Sequence, residues 1–164
     1  MLDVEERFQQ LAAVRDELRL YALVDGHQYE AHKGERIVPR PGVNRALFHG
    51  TDDAPLAHAG PWLYDIGKCP DLVAELADLE YNVPSVSWLI TALDLEGLSQ
   101  WLQLKLDAGL PNGKAALVRF YDPRVLGNLF SIMDVEQQAS FFHLIDEWHF
   151  IYNGDRVWTG RPDA

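Results

Sequence analysis

The stretch 110-LPNGKAALVRFYDPRVL-126 places a turn, a strand and a helix in direct succession. Pro111 presets φ, and Asn112-Gly113 tolerates the positive φ that a tight turn demands. The apolar run from 115 to 121 then reads as a strand. Asp122 supplies an N-cap carboxylate and Pro123 stands at the first helical position, where a missing N–H costs nothing. The chain is therefore expected to pass from strand to helix at Tyr121-Asp122-Pro123.

Outward from this stretch the same alternation recurs. Upstream, Asp94 caps a helix whose inward stripe is Leu95, Leu98, Leu102 and Leu106, closed by Gly109 and Pro111. A buried strand is expected at 85 to 92. Before it, Leu72, Leu76 and Leu79 mark one helical face, with Glu75, Asp78 and Glu80 in solvent and Pro84 ending the run. Val4, Phe8, Leu11, Val14 and Leu18 form the stripe of an N-terminal helix. The run from 20 to 24 is a buried strand closed by an Asp25-Gly26 turn, and short strands are expected at 45 to 49 and 62 to 66. Between them a short helix at 54 to 59 has Thr51 or Asp52 as its cap. Downstream, the helix opened by Pro123 turns Val125, Leu126, Leu129 and Phe130 inward. Asp134 and Gln137 have capping-box spacing before a helix bearing Phe141, Phe142 and Ile145. Asn153-Gly154-Asp155 joins two terminal strands as a hairpin. The fold class expected is α/β: a single domain over 1 to 164 with a mixed β-sheet flanked by helices and a C-terminal β-hairpin.

The opening stretch also resembles a signature block of the adaptor-chaperones of the bacterial type VI secretion system, a family defined by a domain of unknown function. Three further blocks are similar to that family in the same order: LYALVDG at 20 to 26, LFHGTDDAPLAHAGPWL at 47 to 63, and Gln137 followed by SFFHLIDEW at 140 to 148. The resemblance implies a non-enzymatic protein that binds a toxic effector, keeps it soluble and hands it to the spike protein VgrG. Two departures stand out. A basic stretch often occupies the helix before the PNG turn in that family, where this chain has Trp101-Leu102-Gln103-Leu104, and many members carry a further C-terminal lobe. Fewer partners, or a different mode of recognition, are implied.

Composition bounds the alternatives. With 48% hydrophobic and 24% charged residues among 164, the chain has the balance of a globular domain. Its formal charge of −11 opposes a nucleic-acid partner. No apolar run approaches the ~20 residues of a membrane span, and the acidic N-terminus is unlike a signal peptide, so a cytoplasmic location is expected. The single Cys69 has no partner for an internal disulfide and reads as a buried bystander or, less simply, a reactive thiol. Lys33, Arg36, Arg40 and Arg45 concentrate in a Gly- and Pro-containing loop, which is either a solvated connection or a docking element in which Arg36 and Arg40 steer an acidic partner.

Candidate chemistry is sparse. His143, Glu147 and His149 suggest a metal set, but the six-residue separation of the histidines fails the HExxH rule. His49 with Asp52 or Asp53 is the alternative acid/base pair, for a small hydrolase or transferase. No GxGxxG, GxxxxGK[ST] or GxSxG motif is present, so no catalytic, cofactor or metal residue is assigned. An immunity-type protein that inhibits an effector is a further alternative. In the opening block, Arg119 and Asp122 are expected to pair across the strand–helix junction, or else Tyr121 and Arg124 lie exposed to a partner. Trp88 reads as core. Trp101 lies off its helix's main stripe and, beside Leu104, is a candidate anchor for a partner.

Overall fold

Leu20, Ala22 and Val24 alternate with Tyr21 and Leu23, so β1 (Arg19–Asp25) has apolar side chains on both faces and must be covered twice. The computed structural model describes residues 3–109, 112–113 and 115–161, and among them this strand lies near the middle of a six-stranded sheet. α1 (Asp3–Ala12) precedes it, and α2 (Gly26–Lys33), β2 (Asn44–Ala46) and β3 (Pro61–Asp65) follow. Next come α3 (Val73–Asn82), β4 (Val86–Thr91), α4 (Leu95–Lys105) and a small β5–β6 pair (Asp107–Gly109 and Ala115–Leu117). α5 (Pro123–Ile132), α6 (Val135–Phe142), β7 (Glu147–Tyr152) and β8 (Asp155–Thr159) complete the chain. The sheet order is β2-β3-β1-β4-β7-β8.

The helix-flanked sheet and C-terminal hairpin are those expected from the sequence, but every ladder is antiparallel. The reason is topological. β3 and β4 both run opposite to β1 and therefore parallel to each other, as strands joined by a crossover helix do. β1 lies between them and keeps them from becoming neighbours, and among the described residues no two parallel strands pair. One face of the sheet, with Leu20, Ala22, Trp62, Tyr64 and Trp88, packs against Val4 of α1 and against Val73, Leu76 and Leu79 of α3. The other, with Tyr21, Leu23, Leu89, Trp148 and Phe150, packs against Leu98 and Leu102 of α4, Leu126 of α5 and Phe142 of α6.

Several local expectations are corrected. The N-terminal helix stops at Ala12, so Val14, beyond it, is exposed; Val4 within it and Leu18, leading into β1, are buried. Asp25-Gly26 is the start of α2 and not a turn. Glu80 is buried, because Arg156 of β8 grips it with two bonds of 2.7 Å. The strand expected at 115 to 121 ends at Leu117 and pairs with β5 outside the main sheet. Phe120 and Tyr121 explain this: both enter one core, whereas successive strand residues point to opposite faces. The place beside β4 is taken by β7. In the turn between β5 and β6, Gly113 has a φ of 79°; Pro111 lies outside the described residues. The capping box of α6 forms with both its bonds, and Asn153 (φ 52°) with Gly154 (φ 84°) makes the two-residue turn that matches strand twist.

Cys69 is buried, and its Sγ donates to the Asp65 carbonyl at 3.2 Å. Burial pushes the thiol up to about 11. The folded protein is expected to react with a disulfide reagent at pH 8 at least about 100-fold more slowly than the urea-unfolded chain, whose thiol has the ordinary pKa of about 8.5. Thiol release followed by absorbance checks this; equal rates would show the site to be open.

Candidate functional site

Where β1 ends, Asp25 leaves the sheet and caps α2, accepting from the backbone N–H groups of His27 (3.0 Å) and Gln28 (3.2 Å). The next residue is glycine for a steric reason. Gly26 N–H donates to the Gly60 carbonyl at 2.8 Å, and a Cβ at position 26 would stand 2.3 Å from the His58 carbonyl oxygen. This close approach draws the segment around residues 47 to 60 against the start of α2. Phe48 from that segment meets the Tyr121 ring edge-on at 6.2 Å. Asp122 follows as the cap of α5, accepting from Arg124 N–H at 2.9 Å. Its carboxylate also receives the Arg124 guanidinium, with Nε to Oδ1 at 3.1 Å and Nη2 to Oδ2 at 2.8 Å.

These elements enclose a cleft of about 470 Å³, lined by Asp25, His27, Phe48, Asp53, Leu56, Leu117, Arg119, Tyr121, Asp122 and Arg124 among others. Its wall is part apolar and part charged. Leu56 and Leu117 are exposed apolar side chains at this cleft, while Asp25 is only 7% exposed. Desolvation raises the Asp25 pKa, with the charge of Asp122 adding to it and the amide bonds from Gln28 and His27 opposing. Burial, with Asp25 in support, pushes the Tyr121 hydroxyl up to about 12. At neutral pH the cleft therefore presents a neutral phenol among carboxylates and guanidinium groups.

Of the six partner-binding candidates, Tyr121 and Arg124 meet in this cleft, although Tyr121 is only 6% exposed, which corrects the expectation that it lies exposed. The others do not meet there. Trp101 is 8% exposed and belongs to the core, edge-on to Phe141 at 6.5 Å and to His143 at 6.2 Å, with Lys105 Nζ 5.2 Å from its ring. The expectation of an exposed anchor is corrected: α6 covers the edge of α4 on which Trp101 lies. Leu104 is 78% exposed but does not line the cleft. Arg36 and Arg40 border a separate groove with Tyr29 and Tyr64, and Arg36 pairs with Glu30 at 3.4 Å. Asn44 fastens that loop by accepting from Arg40 N–H and donating to the Val38 carbonyl. Arg119 lines the cleft without an ion pair among the described residues; Asp122 pairs with Arg124, which lies in the first turn of the helix that Asp122 caps.

The catalytic and metal alternatives are dispersed. His49 and Asp52 are exposed, Asp53 faces the cleft, and no hydrogen bond or ion pair joins their side chains among the described residues. His143 lies against Trp101, while Glu147 and His149 are buried under α1, where Arg7 holds Glu147. Among the described residues no group of three His, Cys, Asp or Glu side chains is placed to hold a metal ion. The sequence reading missed Asp25, Phe48, Leu56 and Leu117 as cleft residues. A signal existed for Asp25: an apolar run that ends on Asp before Gly-His-Gln-Tyr-Glu is as good an N-cap pattern as a turn.

A family model described as a domain of unknown function, DUF4123, matches residues 20–140. Every cleft residue named above lies inside the matched span; β7 and β8 lie outside it. No curated protein and no solved structure matches the chain.

The two caps are expected to separate on mutation. Asp122→Ala loses a cap and costs about 0.5 to 2 kcal/mol in denaturant unfolding. Asp25→Asn keeps an acceptor for the α2 amides and removes a charge that folding disfavours, so it raises the melting temperature at pH 7. Because the folded pKa lies above the unfolded one, the parent's deficit is full above the folded value and shrinks as pH falls through it towards 3.8. Melting curves between pH 7 and pH 4 check both size and sign.

Proposed function

Because this chain belongs to the DUF4123 family, which is associated with type VI secretion adaptors, we propose that it is a non-enzymatic adaptor-chaperone that binds a toxic effector and loads it onto the VgrG spike. The observation that carries this reading is the cleft at the end of β1. Three blocks distant in sequence, at 20 to 26, 47 to 63 and 110 to 126, converge on it, and their contributions are a mixture of apolar and charged side chains. Such a lining suits a segment of another protein: apolar contacts supply affinity and charged groups set register. His49 with Asp52 or Asp53 offers no comparable convergence, since only Asp53 reaches the cleft. Effector loading takes place in the cytoplasm, and no helix among the described residues is long and apolar enough to cross a membrane.

Capture of partners by the tagged protein from its native cytosol, with the bound chains identified by mass spectrometry, tests the reading. An effector-like toxin together with a spike protein is expected; recovery of neither overturns it. Leu56→Glu with Leu117→Glu is expected to weaken capture about tenfold, or about 1.4 kcal/mol. Both side chains are exposed, so stability should change by no more than about 0.5 kcal/mol. Leu104→Glu, outside the cleft, serves as the comparison in the same assay.

A further inference from the structure

We propose that the cleft takes a cationic side chain, arginine or lysine, borne on an extended segment of the bound protein and seated between the carboxylates of Asp25 and Asp53 beside Tyr121. The proposal rests on the adaptor reading and names the chemistry that its cleft selects. Asp25 is more than nine-tenths buried, and the bonds it accepts from the α2 amides both go to Oδ1. Its Oδ2 accepts no hydrogen bond among the described residues, and Asp25 lines the cleft. Asp53 likewise lines the cleft, and its carboxylate makes neither a cap bond nor an ion pair among the described residues.

The cationic side chains already present make no hydrogen bond or ion pair with these two groups among the described residues; those of Arg124 and His27 act on Asp25 through their charge alone. Arg124 is committed to Asp122 through two bonds, and Arg119 and His27 are exposed and solvated. Asp25, Asp53 and Asp122 against Arg119 and Arg124 leave one carboxylate in excess, in a chain whose formal charge is −11. A guanidinium or ammonium group against Asp25 would offset both the desolvation of that carboxylate and its repulsion from Asp122. The aliphatic stem of the incoming residue would cover Leu56, which is exposed at the cleft, as long basic side chains do on apolar surface. Arginine has the advantage of a planar fork that can engage two carboxylates at once.

The test titrates three blocked tripeptides onto the full chain at low salt: acetyl-Leu-Arg-Leu-amide, its citrulline counterpart and its glutamate counterpart. Amide chemical shifts report the site and the affinity. The arginine peptide is expected to move the His27, Gln28 and Arg124 resonances and to bind at least tenfold more tightly than citrulline, with glutamate weaker still. Asp25→Asn with Asp53→Asn, which keeps the cap acceptor, is expected to erase the preference while melting remains cooperative. Equal binding of citrulline or glutamate, shifts confined to other surfaces, or no saturable binding of the arginine peptide would overturn the proposal. A double variant that still captures the native effector would overturn it while leaving the adaptor reading intact. A parent protein that captures no effector would remove that reading, and the peptide comparison would still decide the cleft's chemistry.

Discussion

A strand buried on both faces and hydrogen-bonded on both edges is the constraint on which this molecule depends. β1 meets β3 on one edge and β4 on the other, and from Leu20 to Asp25 no residue of it is exposed. Covering both its faces requires two helical layers, and both its edges are filled by strands of opposite sense to it. That arrangement converts a strand–helix alternation that would suit a parallel sheet into a wholly antiparallel one. It also sets where the chain can end its elements: β1 terminates inside the fold, so its last residue must satisfy buried amide groups. Asp25 does so by capping α2.

The cleft follows from that termination. A carboxylate placed for local hydrogen bonding becomes a buried charge, and the approach of residues 58 to 60 to Gly26 brings Phe48 and Asp53 near it. A second capping carboxylate, Asp122, arrives from the start of α5. Each of these two aspartates is explained by its own helix, and with Asp53 they leave the cleft one carboxylate in excess over Arg119 and Arg124. Two helix N-termini thus open on the same space, each bringing the carboxylate that caps it.

Ionic links from partly exposed arginines to buried carboxylates hold the outer elements to this frame. Arg7 of α1 reaches Glu147 of β7, Arg156 of β8 reaches Glu80 of α3, and Arg15 and Arg161 both reach Asp146. Such pairs contribute little net stability, because desolvation cancels much of the attraction, but removing one partner leaves a buried charge exposed to the full penalty. Their effect here is to join the N-terminal helix and the C-terminal hairpin across the same face of the sheet. The links made by Arg7, Arg15 and Arg156 were not visible as sequence patterns, since their partners lie 140, 131 and 76 residues away.

What the sequence alone determined was local. The caps at Asp94, Asp122 and Asp134, the Asn153-Gly154 turn, the central apolar strand and the helical stripes at Leu76 or Leu98 were all legible, because each is specified by residues within a turn or two of one another. Four blocks resembling one family were legible for the same reason. The tertiary structure decided what depends on competition for space. It ended the strand at Leu117 because Phe120 and Tyr121 share one core, buried Trp101 beneath α6, sent Glu80 to Arg156, and brought Asp25, Phe48, Asp53 and Tyr121 to one cleft. Hydrophobic periodicity states which side of a helix or strand is apolar. It does not state which neighbour will cover that side, and exposure, pairing and the site all follow from that neighbour.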